Sequence, residues 1–337
     1  MKQYRIDGSE EIDPVSISKH VDAGERVIVQ FASSGYSAQQ LILLNQLAKN
    51  YGRRFEIRFF GHYSEVFDAS VLQFIPDAQC ISIDCIMKAS NLGALSKLSS
   101  LTELSPGVFE LEDPDVVSYC NLPALKVLSF GDTRKCNIDL RHLSKSINLE
   151  RLHTTGHTKN ISTICSLASL RDLSLSSIRK KDGIEFVSSI PKLKALRLIL
   201  GGRASIAEVT SSQLESLEVI RVRGLENLGD LGRFEKLERL LIEDQIKLAS
   251  VKVGLNPRLK DVKIINCKTL EKLAGIEHLA ELSSLWIYKT SIAYEKFVAD
   301  SMPSSPKNFA FYTGKSKRDS EIRADLKMRG FCENARQ

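Results

Sequence analysis

The stretch NISTICSLASLRDLSLSS, residues 160–177, decides the fold. In Leu170-x-x-Leu173-x-Leu175 the last two leucines are separated by one residue, the period at which strand side chains share a face. Upstream, Ile161, Ile164, Leu167 and Leu170 recur at every third position, which suits a 3₁₀-like turn better than an α-helix. The unit is thus a short strand joined to a tight return. One such unit cannot bury its own leucines, so stacking on neighbours must do it.

The neighbours are present. LKVLSF starts at Leu125, LERLHT at Leu149, LRDLSL at Leu170, LKALRL at Leu193, LEVIRV at Leu217, LERLLI at Leu237, LKDVKI at Leu259 and LSSLWI at Leu282. A register kept over more than half of the chain points to a repeat protein rather than a globule with a single core. Residues 160–177 resemble the short repeats of the leucine-rich repeat family, in particular its internalin-like and phosphatase-regulator-like class. The resemblance covers approximately residues 78–312. It implies an α/β fold: a leucine-rich repeat solenoid, or horseshoe, with a parallel concave β-sheet and an irregular or 3₁₀ convex side. One departure stands out. The family places Asn or Cys at the ninth position of the unit, where this chain has Thr133, His157, Ile178, Gly201, Leu225, Gln245, Cys267 and Thr290. Only Cys267 fits, so a side-chain ladder along the turns is not expected.

An open stack exposes its first and last apolar layers unless they are capped. Residues 1–52 supply the first cap: Val27, Val29 and Phe31 alternate as a strand, Ser37-x-x-Gln40 reads as a capping box, and Leu41, Leu44 and Ala48 face inward up to a stop at Gly52. Residues 53–313 form the repeats, ending on the strand NFAFYT at 308–313. Residues 314–337 read as a charged tail, loosely attached.

Composition narrows the function. With 43% hydrophobic and 26% charged residues the chain is too apolar for disorder. No apolar run approaches the length of a membrane span, and MKQYRIDGSEEIDP lacks the core of a secretory leader, so a cytoplasmic protein with no membrane partner is expected. The seven cysteines show no zinc spacing and read as reduced thiols. Phosphate-loop, dinucleotide and zincin motifs are absent. His153 and His157 fall on a strand and in the following turn, and Cys332 lies too near the end to serve a further catalytic domain. No enzyme activity, catalytic residue, metal or cofactor is expected; a rim-site enzyme is the weakest reading.

The informative residues stand between the leucines. The outward strand positions read Ser82, Ser105, Ser129, His153, Ser174, Arg197, Arg221, Leu241, Lys263 and Trp286, flanked by Arg151, Val219, Arg223, Arg239, Glu243, Asp261, Ile265 and Tyr288. The later half is basic with aromatics interleaved, the composition of binding hot spots. Arg151, His153, Arg197, Arg221, Arg223, Arg239, Lys263, Trp286 and Tyr288 are therefore the candidate partner-binding set, with Arg221 and Arg223 projecting together as its electrostatic centre. The expected partner is a protein with an acidic patch. The resemblance implies, as one specific form, a bacterial inhibitor or immunity-type protein. The alternative is a nucleic acid, its phosphates on the basic stripe and a base on Trp286 or Tyr288.

Replacing inward Leu196 with Asp is expected to cost several kcal/mol, because an unpaired charge enters the stack. Replacing outward Arg197 with Ala should leave folding nearly unchanged. Urea melts of both variants check the assignment of faces.

Overall fold

A computed structural model describes residues 2–253, 256–303 and 308–332. The chain divides into two compact units, Met1–Leu170 and Arg171–Gln337. The first contains β1 (Gln3–Asp7), α1 (Pro14–Asp22), β2 (Arg26–Phe31), α2 (Ala38–Tyr51), β3 (Phe55–Phe60), β4 (Val66–Asp68), β5 (Cys80–Ile86), β6 (Lys88–Ser90), β7 (Glu103–Val108), β8 (Val127–Phe130) and β9 (Arg151–Thr155). Its main sheet is parallel, in the order β1-β2-β3-β5-β7-β8-β9, with β4 and β6 pairing separately. Between strands the chain returns through 3₁₀ turns such as Leu140–Lys145 and Ile161–Ser166, as the three-residue spacing requires.

The second unit contains β10 (Asp172–Ser176), β11 (Ala195–Ile199), β12 (Ser216–Ile220), β13 (Arg239–Glu243), β14 (Ser250–Lys252), β15 (Asp261–Ile265), β16 (Lys272–Ala274), β17 (Ser284–Tyr288), α3 (Tyr294–Asp300), β18 (Asn308–Tyr312) and α4 (Ser316–Met328). Its main sheet runs β10-β11-β12-β13-β15-β17-β18, again parallel. The inward pairs Leu173/Leu175, Leu196/Leu198, Leu217/Val219, Leu240/Ile242, Val262/Ile264 and Leu285/Ile287 are all buried. Each such side chain contributes about 1.5–3 kcal/mol relative to exposure.

The register of one repeat differs from the sequence reading. β12 pairs with β11 through Leu196↔Leu217 and Leu198↔Val219, and Leu214 opens that unit as a fully buried residue. The unit is therefore Leu214-x-x-Leu217-x-Val219, three residues earlier than LEVIRV. Glu218, not Arg221, occupies the outward centre of the strand, and Val219 is buried rather than outward.

Each of the later strands ends on the same backbone device. Ser177, Leu200, Arg221, Asp244, Asn266 and Lys289 follow β10, β11, β12, β13, β15 and β17 with φ between 51° and 59°. Their N–H groups donate to Ile199, Ile220, Glu243, Ile265, Tyr288 and Tyr312 carbonyls at 2.7–3.0 Å. The left-handed residue turns the chain out of the sheet while keeping one more rung of the ladder.

The ninth position, one residue later, does form a partial ladder with unusual side chains. His157 Nε2 donates to the Gly131 carbonyl at 2.9 Å, Gln245 Nε2 to the Val219 carbonyl at 3.1 Å, and Cys267 Sγ to the Ile242 carbonyl at 3.8 Å. His and Gln satisfy the same buried carbonyls that Asn or Cys would. With the corrected register the ninth residue of the β12 repeat is buried Val222.

Both ends are closed. The capping box of α2 forms, with Ser37 Oγ accepting from Gln40 N–H and the Gln40 side chain accepting from Ser37 N–H, and Gly52 follows at φ 55°. Upstream, β1 and α1 add a layer that the sequence reading left unassigned; Asp13 caps α1 by accepting from Val15 N–H at 2.9 Å, with Pro14 in its first turn. At the other end the described part of the charged segment, up to residue 332, is folded rather than loose. α4 buries Ile322 and Leu326, Tyr294 donates to Asp325 at 2.5 Å, and the rings of Phe297, Phe309, Phe311 and Phe331 pack edge to face or tilted.

Deleting residues 315–337 should therefore cost about 3–5 kcal/mol, since it removes three large apolar side chains from β18 and α3. A thermal melt of the truncated chain matching that of the full chain would contradict this packing.

Candidate functional site

The outward face of the second unit is built from three rows fixed by strand register. The middle row is Ser174, Arg197, Glu218, Leu241, Lys263, Trp286 and Ala310; the row toward the strand ends is Ser176, Ile199, Ile220, Glu243, Ile265, Tyr288 and Tyr312. Side chains in one row are neighbours about 5 Å apart.

The cations are not crowded against one another. Arg197 lies between two carboxylates, 2.6 Å from Asp172 and 3.2 Å from Glu218. Lys263 is 3.7 Å from Asp261. Arg239 is exposed, beside Ser216 and Asp261 in register. Arg221 sits outside the rows, in the left-handed position after β12, 2.6 Å from Asp244, which in turn accepts from Asn266. Hydrogen bonding by Arg221 holds the Asp244 carboxyl below the ordinary range, with Asn266 adding to it. Arg223 is exposed on the turn, its backbone bridged to Gly202. The expected electrostatic centre at Arg221 and Arg223 is thus displaced from the sheet face, because the register of that repeat places Glu218 there instead.

The aromatic part of the reading lands as a cluster. Trp286 and Tyr288 both stand on the outward side of β17, half-buried, while Leu285 and Ile287 fill the core. Tyr312 on β18 packs edge to face on Tyr288, ring centres 6.2 Å apart. Lys289 lies 4.9 Å from the Tyr288 ring centre, and the Arg323 guanidinium of α4 5.7 Å from that of Tyr312. Tyr312, Lys289 and Arg323 were missed. Aligning NFAFYT on SLWIYK would have placed Tyr312 beside Tyr288, whereas Arg323 required knowing that α4 folds back.

Arg151 and His153 belong to the first unit, on β9. His153 is half-buried with Nε2 3.1 Å from Thr155 Oγ1. Elsewhere on that unit's face a charged network is internally satisfied: Arg26 meets Glu56 and Glu103 at 2.8 Å each, Arg53 meets Glu103 at 2.6 Å, and Ser82 donates to Glu56 at 2.6 Å. Burial alone would raise Glu103, but Arg26 and Arg53 hold it below the usual carboxylate range.

The thiols are poorly disposed to nucleophilic chemistry where they are buried. Desolvation pushes Cys80 and Cys120 up to about 12 and Cys267 to about 11. Among the described residues no three His, Cys, Asp or Glu side chains converge as a metal-ligand group, and no helix is long and apolar enough to cross a membrane.

No protein-family model and no curated protein sequence matches the chain. Solved structures do. An internalin from Listeria monocytogenes aligns at 16% identity over 92% of this chain and 87% of its own, with a TM-score of 0.54. A second internalin, C2, from the same organism aligns at 17% identity over 60% of this chain and 91% of its own, TM-score 0.44; the leucine-rich repeat domain of APL1 aligns at 15% over 86% and 75%, TM-score 0.45. The strands, 3₁₀ returns and buried leucine layers define a repeat solenoid of the α/β class. More narrowly, the chain has the leucine-rich repeat fold.

His157 supplies a pH-dependent term. Burial pushes its pKa down, opposed by the Gly131 carbonyl and Asp132, and Nδ1 accepts from Ile138 N–H at 3.2 Å, so the neutral ring is the bound form. The folded state then takes up a proton less readily than the unfolded one. Its stabilisation is present above the unfolded value of about 6.5 and is lost as pH falls below it. His157→Asn should be less stable at pH 8 and should lose less stability between pH 7 and pH 5; urea melts across that range check it.

Proposed function

We propose that the chain is a protein-interaction module whose partner docks on the outward face of the second unit, anchored on Trp286, Tyr288 and Tyr312. The observation that carries this reading is the cluster itself: three aromatic side chains hold adjacent outward positions, with Lys289 and Arg323 over two of the rings. Large rings half in water beside cations match the composition of interface hot spots, and a core-only role would turn them inward. Ile265, in register beside Tyr288, extends the apolar surface by one strand, up to Glu243. An acidic patch on the partner would face Lys263, Lys289 and Arg323. The inhibitor or immunity-type form has the family resemblance as its support.

A nucleic acid is the second reading, supported by the same rings and cations. Against it stand Asp172, Glu218, Glu243 and Asp261, which hold outward positions among the strands and would repel phosphates. Affinity falling steeply with salt, alike for many nucleic acid sequences, would favour this reading over the first.

The test is a kinetic binding assay with a partner recovered by pull-down. Trp286→Ala should mainly speed dissociation, by on the order of 2 kcal/mol, and Lys289→Glu should mainly slow association. Wild-type rates for both variants, with unchanged melts, would move the interface elsewhere.

A further inference from the structure

The outward face of the first unit is hollowed where β7 and β8 meet. Their pairing runs through Glu103↔Val127 and Leu104↔Leu128 and stops there, because Pro106 has no N–H to offer the next rung. Gly107 and Gly131 follow, so close together that a Cβ on Gly131 would stand 3.2 Å from the Gly107 Cα. With no side chain at either position, a cavity of about 370 Å³ opens over them. Ser105 and Ser129 line it from the outward row, and His153, which also lines it, stands beside Ser129 in register. Phe109 belongs to the lining too. It is 42% exposed and packs on no other ring among the described residues, so the core does not account for its size. The two carboxylates of the lining differ. Asp84 is held by Arg58 at 2.8 Å, whereas Asp132 is exposed and, among the described residues, forms no ion pair with a lysine or arginine. No lysine or arginine lines the cavity.

We infer that this cavity receives an arginine side chain of a protein partner, its guanidinium between Asp132 and the Phe109 ring. A planar guanidinium meets a carboxylate with two parallel N–H bonds, stacks on an aromatic ring and keeps further N–H groups for hydroxyl oxygens. Ser105 and Ser129 supply those hydroxyls, and the glycines leave room for the aliphatic stem. A lysine ammonium is a compact point charge with neither fork nor plane, so it uses less of the lining. An acidic side chain would meet Asp132 and be repelled. The inference goes beyond the partner-binding reading above: it concerns the first unit, assigns the partner the opposite charge there, and does not depend on the Trp286 anchor.

The test uses the full chain, isotope-labelled and titrated with the capped tripeptide acetyl-Gly-Arg-Gly-amide, with the Gly107 and Gly131 amide signals followed by NMR. Both signals should move and saturate. The corresponding lysine tripeptide should bind at least about threefold more weakly, and a citrulline tripeptide, which keeps the shape and loses the charge, should give no saturable shift. Asp132→Asn and Phe109→Ala change exposed side chains, so their melts should match the wild type. Each should weaken binding, the first by at least about tenfold. Gly107 and Gly131 signals that stay still, equal responses to arginine and citrulline, or undiminished binding by Asp132→Asn would overturn the inference. So would tighter binding of free arginine than of the capped tripeptide, because the cavity would then be a small-molecule site. Trp286→Ala should leave tripeptide binding intact, so loss of this site and loss of the aromatic anchor are read separately.

Discussion

Everything in the second unit depends on one repeated pairing: two inward side chains per strand, locked in parallel register against the same two in the next repeat. Leu196 meets Leu217 and Leu198 meets Val219 in this way, and the pattern continues through Leu240/Ile242 to Leu285/Ile287. Because the period of a strand is two, fixing those pairs also fixes which residues face water. The outward rows are thus a by-product of core packing, free to carry charge or aromatic rings at little cost to the fold.

That freedom has limits at the strand ends. The residue after each strand must take a left-handed conformation to keep its rung and leave the sheet, so Leu200, Arg221 and Lys289 accept backbone geometry that Asn and Gly adopt more readily. Leu200 is in addition 45% exposed. The position is shaped by the turn, and its side chains splay from the edge instead of joining the face. Arg221 reaching Asp244, and Asn266 reaching the same carboxylate, form an edge network distinct from the aromatic cluster.

Much of this was legible in the sequence. The strand positions of seven repeats, the α2 capping box and the outward placement of Trp286 and Tyr288 follow from period-two and period-three spacing alone. The β12 repeat was misread because Leu214, Leu217, Val219, Ile220 and Val222 satisfy the repeat pattern in two registers three residues apart. Only the partners β11 and β13 choose between them, burying Leu214 and turning Ile220 outward. That single slip moved two arginines onto the face and hid Glu218. The helix α4 was missed for another reason: its sequence is mostly charged, and just Ile322 and Leu326 mark the side that packs.

The register of β12 is the claim on which the map of the face rests, and disulfide trapping tests it directly. In-register neighbours on adjacent strands stand close enough for a disulfide, whereas residues beyond the strand end do not. Oxidation should link Arg197→Cys to Glu218→Cys readily, and should fail to link Arg197→Cys to Arg221→Cys, as read by peptide mapping. Efficient formation of the second bond and not the first would restore the register starting at Leu217 and contradict the face described above.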